Sequence, residues 1–157
     1  MWFLPDMFGC MKYIFILALA CVGILFSLAL YSKKTPDTIG VNNGRLSGCS
    51  TSHNCVSSQA ADEAHLVDPF SIQGNVGETM DRLQKTLGEM GGTVVEATDG
   101  YIHAEFSSSF WQFKDDLECL YDLQSGVVHI RSASRVGYHD FNANRKRVEK
   151  LRKLLDG

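Results

Sequence analysis

Residues 99–107 read Asp99-Gly100-Tyr101-Ile102-His103-Ala104-Glu105-Phe106-Ser107. Asp-Gly is a tight-turn pair, because both residues tolerate the positive φ angles of a two-residue hairpin. After it, Ile102, Ala104 and Phe106 alternate with Tyr101, His103, Glu105 and Ser107, the period of a strand with one apolar and one polar face. Thr93 to Ala97 reads as the partner strand before the turn. Phe113 to Asp122 reads as the next strand. A turn near Gln124-Ser125-Gly126 then leads into Val127 to Ser134. Four consecutive short strands with tight turns predict an antiparallel meander.

A helix is expected on each side of this meander. Val76, Met80, Leu83, Leu87 and Met90 recur at helical spacing, an apolar stripe suited to core packing. Asn75 and Glu78 stand at capping-box spacing, and Gly91-Gly92 supplies the stop. The second helix is expected over roughly Phe141 to Leu155, with Val148, Leu151 and Leu155 on one face and Asp140 or Asn142 as its cap. Leu66 to Ile72 reads as a short extended piece that Pro69 confines to an edge. The predicted fold class is α+β, with both helices on one face of the sheet and the other face left available.

Upstream, Tyr13 to Tyr31 is nineteen residues without charge or proline, flanked by Lys12 and by Lys33-Lys34. At about 1.5 Å per residue this nearly spans a bilayer's hydrocarbon. A cleaved signal peptide or a lipid anchor is the competing reading, since Ala18-Leu19-Ala20 precedes Cys21. The apolar run is longer than such peptides usually carry, so a retained single-pass anchor is expected. Met11 is a second candidate start. The flanking lysines do not settle the direction, and the expectation leans to the non-cytoplasmic side. The organisation expected is therefore an anchor over 1–32, a linker and cysteine-flanked lead-in loop over 33–60, and an α+β domain over 61–157.

The 157 residues carry a formal net charge of −3, so no global basic field points to nucleic acid. Arg145 to Lys153 nevertheless holds six of the fifteen Lys and Arg residues. That basic helix face suits either solvent or an anionic lipid surface.

Several stretches together resemble one family. Cys49-Ser50-Thr51-Ser52-His53-Asn54-Cys55-Val56-Ser57-Ser58, the hairpin from Asp99 to Phe106, Val128-His129-Ile130-Arg131-Ser132-Ala133-Ser134-Arg135-Val136-Gly137-Tyr138 and the run from Asp140 to Arg147 are similar, in this order, to the motifs of the domain of unknown function 1499 family. The resemblance covers about residues 47 to 155. It departs in the cysteine loop, where Ser50 and His53 stand at positions at which the family often carries proline. It implies a domain that is often membrane-linked and names no reaction.

Five cysteines occur, at 10, 21, 49, 55 and 119. Cys10 and Cys21 belong to the membrane end, and Cys119 reads as a small buried hydrophobe. Cys49 and Cys55 are the disulfide candidates, or else two free thiols, depending on the compartment. A zinc site of Cys49, His53, Cys55 and His65 has the wrong ligand spacing, so no metal is expected. No nucleophile elbow, HExxH, Walker loop or dinucleotide fingerprint is present, so no catalytic residue and no cofactor are assigned.

The polar strand faces carry the candidate site. His103 and Glu105 share one side of their strand, and His129, Arg131 and Arg135 share one side of theirs. With Ser132 and Arg145 near the last helix, they form an expected site for a small anion, because Arg forks bind carboxylate or phosphate in bidentate fashion. The alternative is an ion-paired network in which the arginines serve Glu105, Asp115, Asp116 or Asp140. The functional expectation is a membrane-anchored binding or accessory module for an anionic small molecule, a lipid headgroup or a membrane protein partner. A hydrolase-like or thiol enzyme and a structural subunit of a membrane complex are the alternatives.

Overall fold

The computed structural model describes residues 7–156. The Met1 start and the side chain of Cys10 lie outside what is described. The first helix, α1 (Met7–Ser32), includes a 22-residue segment, Met11–Ser32, of mean hydropathy 2.6. Among the described residues it is the one helix long and apolar enough to cross a membrane.

The meander forms as expected, with β4 (Thr93–Ala97), β5 (Tyr101–Ser107), β6 (Lys114–Asp122) and β7 (Val127–Ser134) paired antiparallel. The sheet has five strands rather than four. The fifth, β3 (Cys55–Ser57), pairs antiparallel with β7, so the order is β3-β7-β6-β5-β4. It comes from the cysteine-flanked loop. Without it β7 would be an edge, its outer amides and carbonyls unpaired. Leu66 to Ile72 forms no strand but two isolated bridges: Leu66 bridges to Ser57, and Phe70 exchanges two backbone hydrogen bonds with Val128, at 2.9 and 2.8 Å.

α2 (Val76–Glu89) carries the full capping box: the Glu78 amide donates to Asn75 Oδ1 at 2.9 Å, and the Asn75 amide to Glu78 Oε2 at 3.2 Å. At its end a Cβ on Gly92 would come within 2.7 Å of the Phe106 ring, so only glycine lets the helix return this closely to β5. α3 (Ala143–Asp156) starts two residues later than expected, because Phe141 and Asn142 take left-handed conformations with φ of 53° and 63°. Asp140 is its cap, accepting the Asn144 amide at 2.9 Å.

Both helices lie on one face of the sheet. Leu83, Leu87, Val148 and Leu151 pack with Ile102, Ala104, Leu117, Cys119, Val128 and Ile130 in one core. The opposite face is not left open. Residues 33–60 fold back over it, with a small hairpin of β1 (Val41–Asn42) and β2 (Arg45–Leu46). Asn43 and Gly44 turn that hairpin with φ of 51° and 72°, the paired left-handed residues of a type I′ turn. Leu46 is buried there, and its amide donates to Gln59 Oε1 at 2.9 Å.

Candidate functional site

Strand register sets the polar face. His103, Glu118, Arg131 and Ser57 lie in one cross-strand row, and Glu105, Asp116, Ala133 and Cys55 in the next. Period-two alternation puts all of them opposite the helices.

The charges are buried or half-buried and paired in two adjacent groups. His103 Nε2 lies 2.7 Å from Asp116 Oδ1. Arg135 donates to both Asp116 oxygens, from Nε at 2.8 Å and from Nη2 at 2.7 Å, and also to Glu105. Lys114 Nζ is 3.1 Å from Glu105 Oε2. Glu118, fully buried, accepts from Arg131 Nη1 at 2.7 Å, the Tyr101 hydroxyl at 2.9 Å and the Gly40 amide at 2.8 Å. Residues 33–60 thus cover this face and supply one of its donors.

Removing an ion from water costs several kcal/mol, which is repaid only when pairing and hydrogen bonding are nearly complete. Here three carboxylates (Glu105, Asp116, Glu118) face three cations (Lys114, Arg131, Arg135), so these six charges cancel. Burial opposes ionisation of Asp116, but hydrogen bonds from Arg135 and His103 outweigh it and hold its carboxyl below the usual range. Glu105 is lowered in the same way, burial being outweighed by Arg135 and Lys114. Asp116 and then Glu105 raise Arg135 against its own burial. The Tyr101 phenol is pushed up by burial and by the Glu118 charge.

The two arginines differ in what they have left to give. Arg135 spends all three guanidinium nitrogens: Nε and Nη2 on carboxylates, and Nη1 on the Ser32 and Lys33 carbonyls at 3.0 and 3.3 Å. These carbonyls close the last turn of α1. Arg131 spends Nη1 on Glu118, and its Nε is buried with no hydrogen-bond partner among the described residues. Arg131 also lines a cavity of about 340 Å³. Thr38, Ser50, Ser52, Asn54, Asp116, Ser134 and Arg135 form the rest of its polar wall, and Pro36 lines it too. The volume is that of a small-molecule site.

The sequence over residues 45–155 matches the family described as Protein of unknown function (DUF1499). The chain belongs to the DUF1499 family. A comparison with curated proteins gives no match.

The DUF1499 fold brings together four of the expected site residues: His103, Glu105, Arg131 and Arg135. It places the other three elsewhere. Ser132 is one residue from Arg131 and so faces the helices, where it donates to Asn144 Oδ1 at 2.7 Å. Arg145 holds the lead-in segment through the Leu66 and Ala64 carbonyls at 2.9 and 2.8 Å. His129 shares the polar face but is one row away, with Nδ1 3.2 Å from Ser58 Oγ. Ser58 Oγ also accepts the Ile130 amide at 2.9 Å, and Asp122 is 3.9 Å from His129 Nε2, beyond a hydrogen bond. Ser58, His129 and Asp122 therefore do not form a relay.

Cys49 and Cys55 are joined, with an S–S distance of 2.07 Å, so neither thiolate is free to be a metal ligand or a nucleophile. The loop they close forms one wall of the Arg131 cavity. Asn54 fastens it, donating from Nδ2 to the Gly137 carbonyl at 2.6 Å, while its own carbonyl accepts from Asn144 Nδ2 at 2.8 Å. The arginines of α3 are largely spent inside the domain. Arg147 pairs with Asp115 at 2.6 Å, and Arg152 donates to the Asp68 carbonyl at 2.6 Å.

At the level of sequence, Asp116 enters only as a pairing partner, Asn54 only within the family motif, and Glu118 not at all. The signal for the two acids was present, since Asp116 and Glu118 alternate with the apolar Leu117 and Cys119.

Proposed function

We propose that this DUF1499 protein is a membrane-tethered binding module whose Arg131 cavity takes a singly charged phosphodiester, as in a phospholipid headgroup or a soluble glycerophosphodiester. The observation that carries this reading is Arg131 itself: it lines the cavity, and its buried Nε has no hydrogen-bond partner among the described residues, beside an Arg135 whose three guanidinium nitrogens are all spent. A planar guanidinium with spare donors suits a phosphate oxygen pair. Three cations already balance three carboxylates on this face, so every charge a ligand brings is uncompensated, and a singly charged diester brings the fewest while still offering oxygens to Arg131's remaining donors.

The tether rests on α1: the 22 residues of Met11–Ser32 extend about 33 Å, enough to cross the hydrocarbon. The cavity lies close to the end of that helix. Pro36 lines it four residues beyond Ser32, within about 14 Å along an extended chain. Joined cysteines favour an oxidising, non-cytoplasmic compartment for the domain.

The test is calorimetric titration of the full chain in detergent with glycerophosphoglycerol, a soluble phosphodiester, and with glycerol 3-phosphate, a phosphomonoester. Arg131→Lys keeps a cation beside Glu118 but loses the planar fork. The reading requires the diester to bind more tightly than the monoester, and Arg131→Lys to weaken it at least tenfold. Equal binding by wild type and Arg131→Lys, or no binding of either probe, would sink it. Competition by phosphatidylglycerol vesicles but not phosphatidylcholine vesicles would name a lipid as the source.

A further inference from the structure

The β5–β6 connection, Ser108–Phe113, holds three aromatic residues: Phe110, Trp111 and Phe113. Phe110 is 83% exposed, and Trp111 packs edge-to-face against it with ring centroids 5.1 Å apart. Phe110 stands out of the loop with the half-buried Trp111 against it, and neither ring belongs to the core cluster.

The loop holds itself in shape. The Ser108 amide donates to the Phe113 carbonyl at 2.9 Å, and the Phe113 amide to Ser108 Oγ at 3.0 Å. Gln112, in a left-handed conformation with φ of 57°, donates from Nε2 to the Ser108 and Ser109 carbonyls at 3.1 and 3.3 Å. The aromatic pair is therefore presented on a closed turn rather than on a loose tip.

Its position is fixed relative to α1. Lys114, the residue after the loop, donates its amide to Ser32 Oγ at 3.4 Å. Arg135 ties the adjacent end of β7 to the Ser32 and Lys33 carbonyls. Ala29 and Ser32 are buried, while most of α1 before them is exposed, so the domain seats directly on the last turn of the helix. Phe110 and Trp111 lie four and three residues from Lys114, within about 14 Å along the chain. The lysines of Lys33-Lys34, which belong at headgroup level, stand at the same place.

We infer that this loop is a second membrane contact, with Phe110 and Trp111 seated at the boundary between headgroups and acyl chains beside α1. Aromatic side chains concentrate at this depth because their rings are apolar while the indole N–H stays within reach of water and headgroups. The bilayer is the occupant because the neighbouring surface of α1 is itself the exposed apolar span. The contact would hold the domain against the bilayer and keep the Arg131 cavity at headgroup depth. The inference rests on the membrane reading of α1.

The experiment uses the full chain with Trp2→Phe, which leaves Trp111 as the one tryptophan, reconstituted into vesicles of lipids brominated at defined acyl depths. The inference requires blue-shifted Trp111 emission relative to the urea-unfolded chain, and quenching strongest with the shallowest bromines. It also requires Phe110→Ser, at an exposed position, to cut that quenching at least twofold with the melting temperature unchanged. A chain that resists carbonate extraction but shows no quenching at any depth overturns the loop contact and leaves the anchor standing. Emission that shifts with protein concentration and not with quencher overturns it in favour of a second copy as occupant. Release by carbonate overturns the anchor and the loop contact together.

Discussion

The helix-covered face of the sheet and the face under residues 33–60 are buried to the same depth by opposite chemistry. On the first, Ile102, Leu117, Val128 and Ile130 meet helices that bring apolar stripes of their own. On the second, His103, Asp116, Glu118 and Arg131 meet a short segment with few apolar side chains to offer. The difference teaches what each cover requires. A helix needs matching volume, so the first face degrades in proportion to the methyl groups lost. An irregular cover needs every buried charge paired, so the second face fails when one partner is removed.

Asp116→Ala should have the largest effect, because it strands His103 and two nitrogens of Arg135 in a buried site. A loss of about 3–5 kcal/mol is expected by denaturant unfolding in mild detergent. Leu117→Ala, the adjacent residue on the other face, should cost about 2–5 kcal/mol, in proportion to the cavity it leaves.

Acid should separate the two faces. Asp116 and Glu105 have folded-state values below their ordinary ones, so the stability they confer is present above the unfolded values, near pH 4, and is lost as pH falls through the folded ones. Melting temperature should therefore drop below about pH 4 in the wild type and in Leu117→Ala alike. Glu105→Gln should lower stability at pH 7 and flatten the acid drop. An undiminished acid drop in Glu105→Gln would remove that residue from the linkage.

Reducing Cys49–Cys55 should cost about 2 kcal/mol, from the chain entropy of its short loop, and should weaken phosphodiester binding, since the loop is a cavity wall. Arg145→Ala, which frees two exposed carbonyl contacts, should cost about 1 kcal/mol and leave binding unchanged.

The parts of this comparison legible in the sequence are those set by local rules. Asp99-Gly100 marks the turn, although the connection is three residues, 98–100, and neither residue takes the positive φ of a two-residue hairpin. The alternation after it marks β5, Asn75 and Glu78 mark the start of α2, and period two puts His103 and Glu105 on one side. The same rule, applied through β6 and β7, would have joined Asp116 and Glu118 to the site and excluded Ser132. Two other features had no local signal. Cys55–Ser57 is too short for a periodic pattern and finds its partner in β7, far along the chain. Residues 33–60 have the composition of a linker, and only the unfilled donors and acceptors of the sheet below show that they must form a cover.

The central claim is that Arg131 is the one guanidinium of the polar face with donors to spare. Nε–H resonances of Arg131 and Arg135, assigned through Arg131→Lys and Arg135→Lys and followed by NMR as glycerophosphoglycerol is added, test it most directly. The account predicts a saturable shift of the Arg131 Nε–H with the Arg135 Nε–H unmoved. A shift of Arg135 instead, or of neither, would contradict it.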